Sequence, residues 1–487
     1  MKTDQKMLAD ELEATIRSIQ YGLSHSDDLI CKVFSLGDRK CAILYLESLA
    51  DQEKIRETIL KPLLNISEDG LTRYLAVMEE ERTSCEQRAM SKLLQGDALF
   101  LIDEEPVAYV MDTAANKERS LTIPINERVI RGSHLAFNEN LGTSVFLIRK
   151  QLEHRQVTVK YYTLGNVSQT RIALVYLHDI TNPALVERLE NRIHAISADF
   201  VQTPGFIEEM IEDRPFSLFP QILYTERPDR TAAYLNEGSV ALLAEGDPAV
   251  ALLPVTFFSF LQTADDYSSR FTIASVIRFF RVIAFFIALI LPATYISLLS
   301  YHYEALPDPL LFSLKSNLEL IPYPPIVEAL FMQFTLEMLR EAAIRLPQPI
   351  GLTVSIVGGL VIGTTVVQAN LVSNAMVVVI ATTAIASFLI PNSELSTAIR
   401  IIGFPITLLA AVLGFLGMAF GVIIMFIHVC RIESLGMPYF NMGGGTNIRD
   451  KLIRFPTYML NRRNPQAQPQ RGTQERESRE WQDDERS

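Results

Sequence analysis

The sequence is poor in the residues on which many enzymes and extracellular scaffolds rely. It has 4 cysteines in 487 residues, at Cys31, Cys41, Cys85 and Cys430, with no Cys-x-x-Cys pair. That excludes a disulfide framework and points to thiols kept in a reducing compartment. The 7 histidines (His25, His134, His154, His178, His194, His302, His428) are scattered, and none has metal-ligand spacing. HExxH, GxSxG and GxxxxGK[ST] are all missing, so no metal, cofactor or catalytic residue is expected. Gly443-Gly444-Gly445-Thr446 lacks the lysine of a phosphate loop and reads as a linker. Basic residues number 44 against 56 acidic ones, a net charge of −12. No basic surface is left over to neutralise phosphates, which argues against a nucleic-acid partner. The first twenty residues lack an apolar core and do not form a signal peptide, so the charged half of the chain is expected in the cytoplasm.

Charge is unevenly spread. Residues 1–281 carry it at the density of a soluble protein, whereas 282–430 are mostly uncharged. The first uncharged run, between Arg281 and Glu304, has 22 residues, about 33 Å as a helix and enough for a bilayer core. Pro292 lies inside it. The second, between Arg345 and Glu394, has 48 residues and suits two spans, with Gln368, Asn370, Ser373 and Asn374 at their turn. The third, between Arg400 and Arg431, has 30 residues and reads as one tilted span. Spans are thus expected near 282–301, 352–369, 375–391 and 402–429. Gly359 with Gly363, and Gly417 with Gly421 and Gly414 one turn earlier, are candidate helix-packing positions.

The segment 324–345, PPIVEALFMQFTLEMLREAAIR, is the exception, being charged and helical in pattern. Pro324 and Pro325 suit its start and Pro347 its stop. Gln333, Glu337, Arg340 and Glu341 fall within an arc of about 100°, and Glu328 stands apart near the entry. Three arrangements fit: a helix lying flat at the interface, a span whose charges pair with other helices, or a span whose polar stripe lines a water-filled path. Arg270, Arg278 and Arg281 precede the first span, and Arg431, Arg449, Lys451, Arg454, Arg462 and Arg463 follow the last. Both flanks are therefore expected inside, which requires an even number of crossings. Four uncharged spans satisfy this if 324–345 does not cross.

The charged half contains a repeat. Residues 34–59 resemble 161–189, each reading as strand, Gly turn, strand, helix, with Leu36-Gly37-Asp38 matching Leu164-Gly165-Asn166. Residues 98–110 resemble 241–253 as apolar hairpins around an acidic turn. Two related α/β subdomains are expected over 25–135 and 136–270, joined by a helix over 136–152 and preceded by a helical lead over 1–24. A membrane domain over 271–430, a basic segment over 431–463 and a disordered tail over 464–487, containing Trp481, complete the plan. Acid pairs such as Glu208-Glu209 and Asp265-Asp266 read as solvated faces or helix caps.

Four blocks carry a family resemblance: RVIRGSHLAFNENLGTSVFLIRK (128–150); the stretch 219–254 with Thr225-Glu226-Arg227-Pro228-Asp229; Asp265-Asp266-Tyr267 with Arg270; and PPIVEALFMQFTLEMLREAAIRLPQPIG (324–351), followed by SIVGGLVIG and TAIASFLIP. From residue 25 to 463 the chain resembles the A subunit of bacterial spore germinant receptors, the GerA family. It departs from the family at Ser133-His134-Leu135, where Pro-Arg-Glu is common, and at Asn374, where Pro is frequent. The resemblance implies a spore inner-membrane complex with a B subunit resembling amino-acid transporters and a lipoprotein C subunit. It also implies an A subunit that forms a homo-oligomeric ring and conducts ions on nutrient binding. Gln333, Glu337, Arg340, Glu341 and Glu328 become candidate pore or gating residues. Thr225, Glu226, Arg227, Asp229, Asp265, Asp266 and Tyr267 become candidates for coupling. A non-conducting scaffold, a secondary transporter and a membrane-anchored enzyme are the rival readings.

Overall fold

The computed structural model describes residues 6–36, 39–63, 74–75, 79–115, 123–201, 204–319, 321–441, 448–460 and 462–474. The Gly37-Asp38 turn, the glycine run at 443–446 and Trp481 lie outside the described residues.

Helix α1 (Leu12–Gly22) leads into strands β1 (Leu29–Leu36) and β2 (Arg39–Leu46), helical segment α2 (52–63), β3 (Glu81–Thr83), α3 (Glu86–Gln95), β4 (Ala98–Ile102) and β5 (Ala108–Met111). The strands pair antiparallel in the order β1-β2-β4-β5-β3. Because strand side chains alternate faces, Cys41, Ile43, Tyr45, Phe100 and Ile102 meet Ile55, Ile59 and Leu63 of α2. Ala42, Leu44, Leu46, Leu99 and Leu101 face the other way, onto Ile19 of α1 and Leu93 of α3.

The chain then repeats this plan. After α4 (Leu141–Gln151) come β6 (Val157–Leu164), β7 (Thr170–Leu177), α5 (Pro183–Ala195), α6 (Pro204–Ile211), β8 (Leu223–Thr225), α7 (Pro228–Asn236), β9 (Val240–Ala244) and β10 (Val250–Leu253). The second sheet has the order β6-β7-β9-β10-β8, the same arrangement as the first. Its two faces are likewise sorted: Ile172, Leu174 and Leu242 pack on α5 and α6, and Ala173, Val175 and Leu243 pack towards α4 and α7. A buried ion pair joins the two units. Arg149 of α4 donates from Nε and Nη2 to Asp28, both at 2.7 Å, with side chains 1% and 0% exposed. Ser26 and Ser48 also donate to Asp28.

A helical region follows: α8 (Phe271–Ser300), α9 (Asp308–Leu318), α10 (Pro325–Arg345), α11 (Gln348–Gln368), α12 (Asn374–Phe388), α13 (Ser393–Leu413) and α14 (Phe415–Arg431). Helices α8 and α13 are long and apolar enough to cross a bilayer; α12, α14 and residues 357–368 are shorter apolar helices. Pro292 sits within an unbroken α8. The helices alternate in direction. Helix α8 leaves the sheets, and its outer half meets the start of α10, the end of α11 and the start of α12 through Tyr295, Ala329, Val366 and Met376. Helix α10 returns, and α11 starts against its end, where a Cβ on Gly351 would lie 2.7 Å from the Ala343 carbonyl. Helix α14 ends on the second unit, where His428 Nε2 lies 2.9 Å from Ser217 Oγ.

Two features differ from the sequence reading. First, the run at 402–429 is not one tilted span. Gly414 takes φ +62° and ψ −142°, and the chain folds back as the α13–α14 hairpin. An L side chain rarely adopts that conformation. Gly414 is thus the hairpin corner, while Gly417 and Gly421 face α13. At Gly359 and Gly363 an added Cβ meets nothing within 4 Å. Second, the tail is not free from residue 464 onward. Residues 432–438 form β11 (Glu433–Ser434) and β12 (Met437–Pro438), which pack on the second unit. There Ser434 donates to the Gln221 carbonyl and Arg188 to the Leu435 carbonyl. Residues 462–474 then lie along the same unit: Gln470 bonds the Ile180 and Thr181 carbonyls, and Arg471 pairs with Asp179 at 3.1 Å. Residues 475–487 lie outside the described residues.

Substituting Gly417 by Val tests the hairpin, because a Cβ there would lie 2.0 Å from the Leu409 carbonyl oxygen. Overpacking of this kind should cost about 1–3 kcal/mol. Gly359→Val should be close to neutral in the isolated protomer. Thermal melting of the full chain in detergent compares the two.

Candidate functional site

The charged residues of α10 divide into separate places. Glu337 faces α13, where Arg400 Nε donates to its Oε1 at 2.7 Å. Arg340 lies 3.6 Å from the same oxygen and donates from Nη2 to Ser387 Oγ on α12. Arg400 also bonds Ser396 and Thr397. A cavity of about 30 Å³ lies beside this cluster, lined by Gln333, Glu337, Thr383, Arg400 and Gly403 among others. The Gln333 side-chain oxygen is buried with no hydrogen-bond partner. Glu341 instead pairs with Arg345 at 2.6 Å on an exposed face. Glu328 is 1% exposed and sits at the far end, accepting the Ser373 N–H at 2.9 Å ahead of α12. With Ala329 fully buried among its neighbours, α10 is a member of the bundle rather than a helix lying flat against it.

The candidate coupling residues form two linked groups. In the first, Glu226 accepts the N–H groups of Ile125 and Asn126, and Thr225 donates to Glu127. Arg227 forms a two-pronged contact with Asp229, at 3.1 and 2.7 Å. Asp229 also accepts the Arg230 N–H. Arg230 pairs with Glu127 and donates to the Ser259 and Gln262 carbonyls, both at 3.2 Å. That places the first group against the second. There Asp265 accepts the Ile130 N–H at 3.1 Å. Asp266 is 2% exposed and pairs at 2.9 Å with both Arg278 and Arg281 of α8. Tyr267 donates to Asp450 Oδ2 at 2.7 Å, and Asp450 also pairs with Arg278 at 3.2 Å. The guanidinium groups of Arg278 and Arg454 each lie 5.3 Å from the Tyr267 ring centre.

Burial would push the Asp266 carboxyl up, but Arg278 and Arg281 outweigh it and hold the group below the usual range. A different carboxylate set stands at the foot of α13. Burial, then Glu394 and Glu212, push Glu208 up to about 8, and burial pushes Glu212 up to about 7. Tyr224 and Asp213 also face this pair. Among the described residues, no group of three or more His, Cys, Asp and Glu is placed to hold a metal ion.

The family model for the Bacillus/Clostridium GerA spore germination protein matches residues 17–466. The chain belongs to that family. Curated relatives cover most of it. An uncharacterized membrane protein, YfkQ, of Bacillus subtilis is 34% identical over 94% of this chain and 91% of its own length. Spore germination protein KA of the same organism is 34% identical over 92% of this chain and 85% of its own. Spore germination protein GerLA of Bacillus cereus is 34% identical, with coverages of 93% and 95%. The crystal structure of the N-terminal domain of the A subunit of the Bacillus megaterium spore germinant receptor GerK3 covers 52% of this chain and 99% of that one. Its TM-score is 0.41 at 23% identity.

In this GerA-family chain the structure brings Gln333, Glu337 and Arg340 together and leaves Glu341 and Glu328 apart. It adds Arg400, Glu127 and Arg230, which sequence reasoning passed over. Arg400 reads in sequence as the edge of an uncharged run, and only helix packing turns it towards Glu337. Glu127 stands one residue before the RVIRG block, so its adjacency was a usable signal.

Two measurements test this electrostatics. Asp266→Ala strips the shared counter-charge from Arg278 and Arg281, and should destabilise the full chain by about 3–5 kcal/mol in denaturant unfolding. The Glu208–Glu212 pair acts with the opposite pH sign. Native carboxyls with raised pKa contribute stability that is full below the ordinary carboxylate range and lost as pH rises to about 8. The melting temperature should therefore fall across that window, and Glu208→Gln should flatten the slope. Asp266 loses its contribution only below that window, as acid protonates it.

Proposed function

We propose that this chain is the A subunit of a nutrient germinant receptor and that six of its helices, α8 and α10–α14, cross the spore inner membrane. The relatives named as spore germination proteins support the first part. The alternating helix directions support the second, since six crossings return the C-terminal segment to the side of the sheets. Basic residues at both flanks favour the cytoplasm for that side. Exposed apolar side chains such as Phe280, Phe286, Ile385, Leu408 and Ile424 are then covered by lipid.

The observation that carries the mechanism is the Glu337–Arg400 pair, half-buried in an apolar bundle beside a small cavity and the unsatisfied Gln333. Intramembrane charges are costly and mark functional positions more often than not. In this reading the pair is a latch between α10 and α13. A transporter-like B subunit holds the nutrient, a lipoprotein C subunit completes the complex, and further copies of the A subunit build a ring. The open face at Gly359 and Gly363 suits a helix of the next copy. Nutrient binding favours a second state of the ring in which the latch parts and ions pass. The contacts running from Thr225–Asp229 through Arg230 to Asp266 and α8 carry the change between the sheets and the membrane.

A second reading has a specific observation in its favour. Glu337 is fully paired, as in a bundle held together by charge without conduction. Potassium efflux from non-sporulating bacteria co-expressing the A, B and C subunits separates the two. Candidate amino acids and sugars are added one at a time. Glu337→Gln and Arg400→Gln should each raise basal efflux several-fold, and exchanging the two charges should restore the closed state. Unchanged efflux in all three variants, at equal expression and assembly, would leave the scaffold reading standing.

A further inference from the structure

A second, larger cavity of about 420 Å³ lies in the sheet-bearing half, within the size range of small-molecule sites. Three parts of the chain enclose it: helix α7, the segment from Pro254 to Ser268, and the C-terminal stretch between Asp450 and Ala467. It is separate from the α10 cluster, and none of the roles assigned above uses it as a site.

Its lining charges are unequally satisfied. Three acids line it, and all are engaged. Asp229 is held by Arg227, Asp450 by Tyr267 and Arg278, and Glu237 by the Asn464 N–H and Gln474. Of the three bases, Arg230 is paired with Glu127. Lys451 is 9% exposed, and its ammonium meets the Asn441 carbonyl and the Phe258 ring, with no carboxylate within ion-pair distance among the described residues. Arg462 likewise forms no ion pair among the described residues. Gln466 also lines the cavity and is 5% exposed. Its Nε2 donates to the Pro438 carbonyl, while its buried Oε1 has no donor. Buried acceptors in that state are rare.

We propose that this cavity binds a small organic monocarboxylate. The carboxylate answers the positive charge of Lys451 and Arg462. The three engaged acids nearby disfavour a dianion. Apolar walls from Ala233, Val255 and Leu460 accommodate a short carbon skeleton. Asp450 and Tyr267 line the cavity and also contact Arg278 of α8, so occupancy bears directly on the foot of that helix. The site stands apart from the conduction reading, and its test does not depend on ion flow.

Calorimetric titration of the purified full chain in detergent, with glycolate, lactate, L-serine and inorganic phosphate as probes, decides the matter. At least one of the first three should bind saturably at concentrations up to tens of millimolar. Lys451→Met should weaken that probe by about tenfold or more, as expected for a charge-assisted contact. Arg462→Gln, an exposed change that leaves the fold intact, should weaken it by about fivefold or more. Absence of saturable binding by the three carboxylates to a chain with a single melting transition overturns the proposal. So does tighter binding of phosphate, or binding that Arg462→Gln leaves unchanged.

Discussion

A charge taken out of water must meet an opposite charge at close range, and this chain answers that requirement at three successive levels. Asp28 with Arg149 closes the gap between the two sheet units. Asp266 with Arg278 and Arg281 fastens the second unit to the foot of α8. Glu337 with Arg400 ties α10 to α13 inside the bundle. The first and third pairs join elements distant in sequence, and separating any of the three would leave a charge without its counter-ion. Apolar burial supplies most of the cohesion, with one core running from the first sheet into the helices. Such a core is not directional. The ion pairs select which surfaces meet and in what register.

The middle pair is the most consequential, because Arg278 is shared. One side of it meets Asp266, which precedes α8, and the other meets Asp450, which follows α14 by some twenty residues. The entry to the helical region and the chain that emerges from it are thereby tied to one guanidinium. Residues 462–474 extend the same logic without charge burial. Gln470 donates to the Ile180 and Thr181 carbonyls and Arg463 to the Asn236 carbonyl on the second unit.

Local patterns were legible in the sequence, and long-range ones were not. Strand alternation and hairpin turns are short-range, so the likeness of 34–59 to 161–189 pointed to two sheets that share one strand order. The polar arc of α10 was legible for the same reason. Gly414 was not, because glycine within an apolar run reads equally as a packing position, and only its backbone angles reveal a corner. The start of the tail, 464–474, was misread because composition counts the apolar surface a segment can bury and ignores hydrogen bonds to a preformed partner. Arg400 was misread because a charge at the end of an uncharged run is ordinarily a boundary.

Two of these readings bear on each other. With 402–429 as one span, a crossing α10 gives an odd number and conflicts with basic residues at both flanks. In the proposed six-crossing topology the corner at Gly414 adds one crossing, and α10 adds another. In that topology the parity demanded by charge holds with α10 crossing, so the flat alternative loses the topological argument that favoured it. A crossing α10 must bring Glu337 and Arg340 into the bundle, where solvent cannot offset their charge. Arg400 on α13 and Ser387 on α12 are the groups positioned to do so. The same corner that restores the parity also sends α14 back beside α13. Gly417 and Gly421 allow the close approach that seats it there.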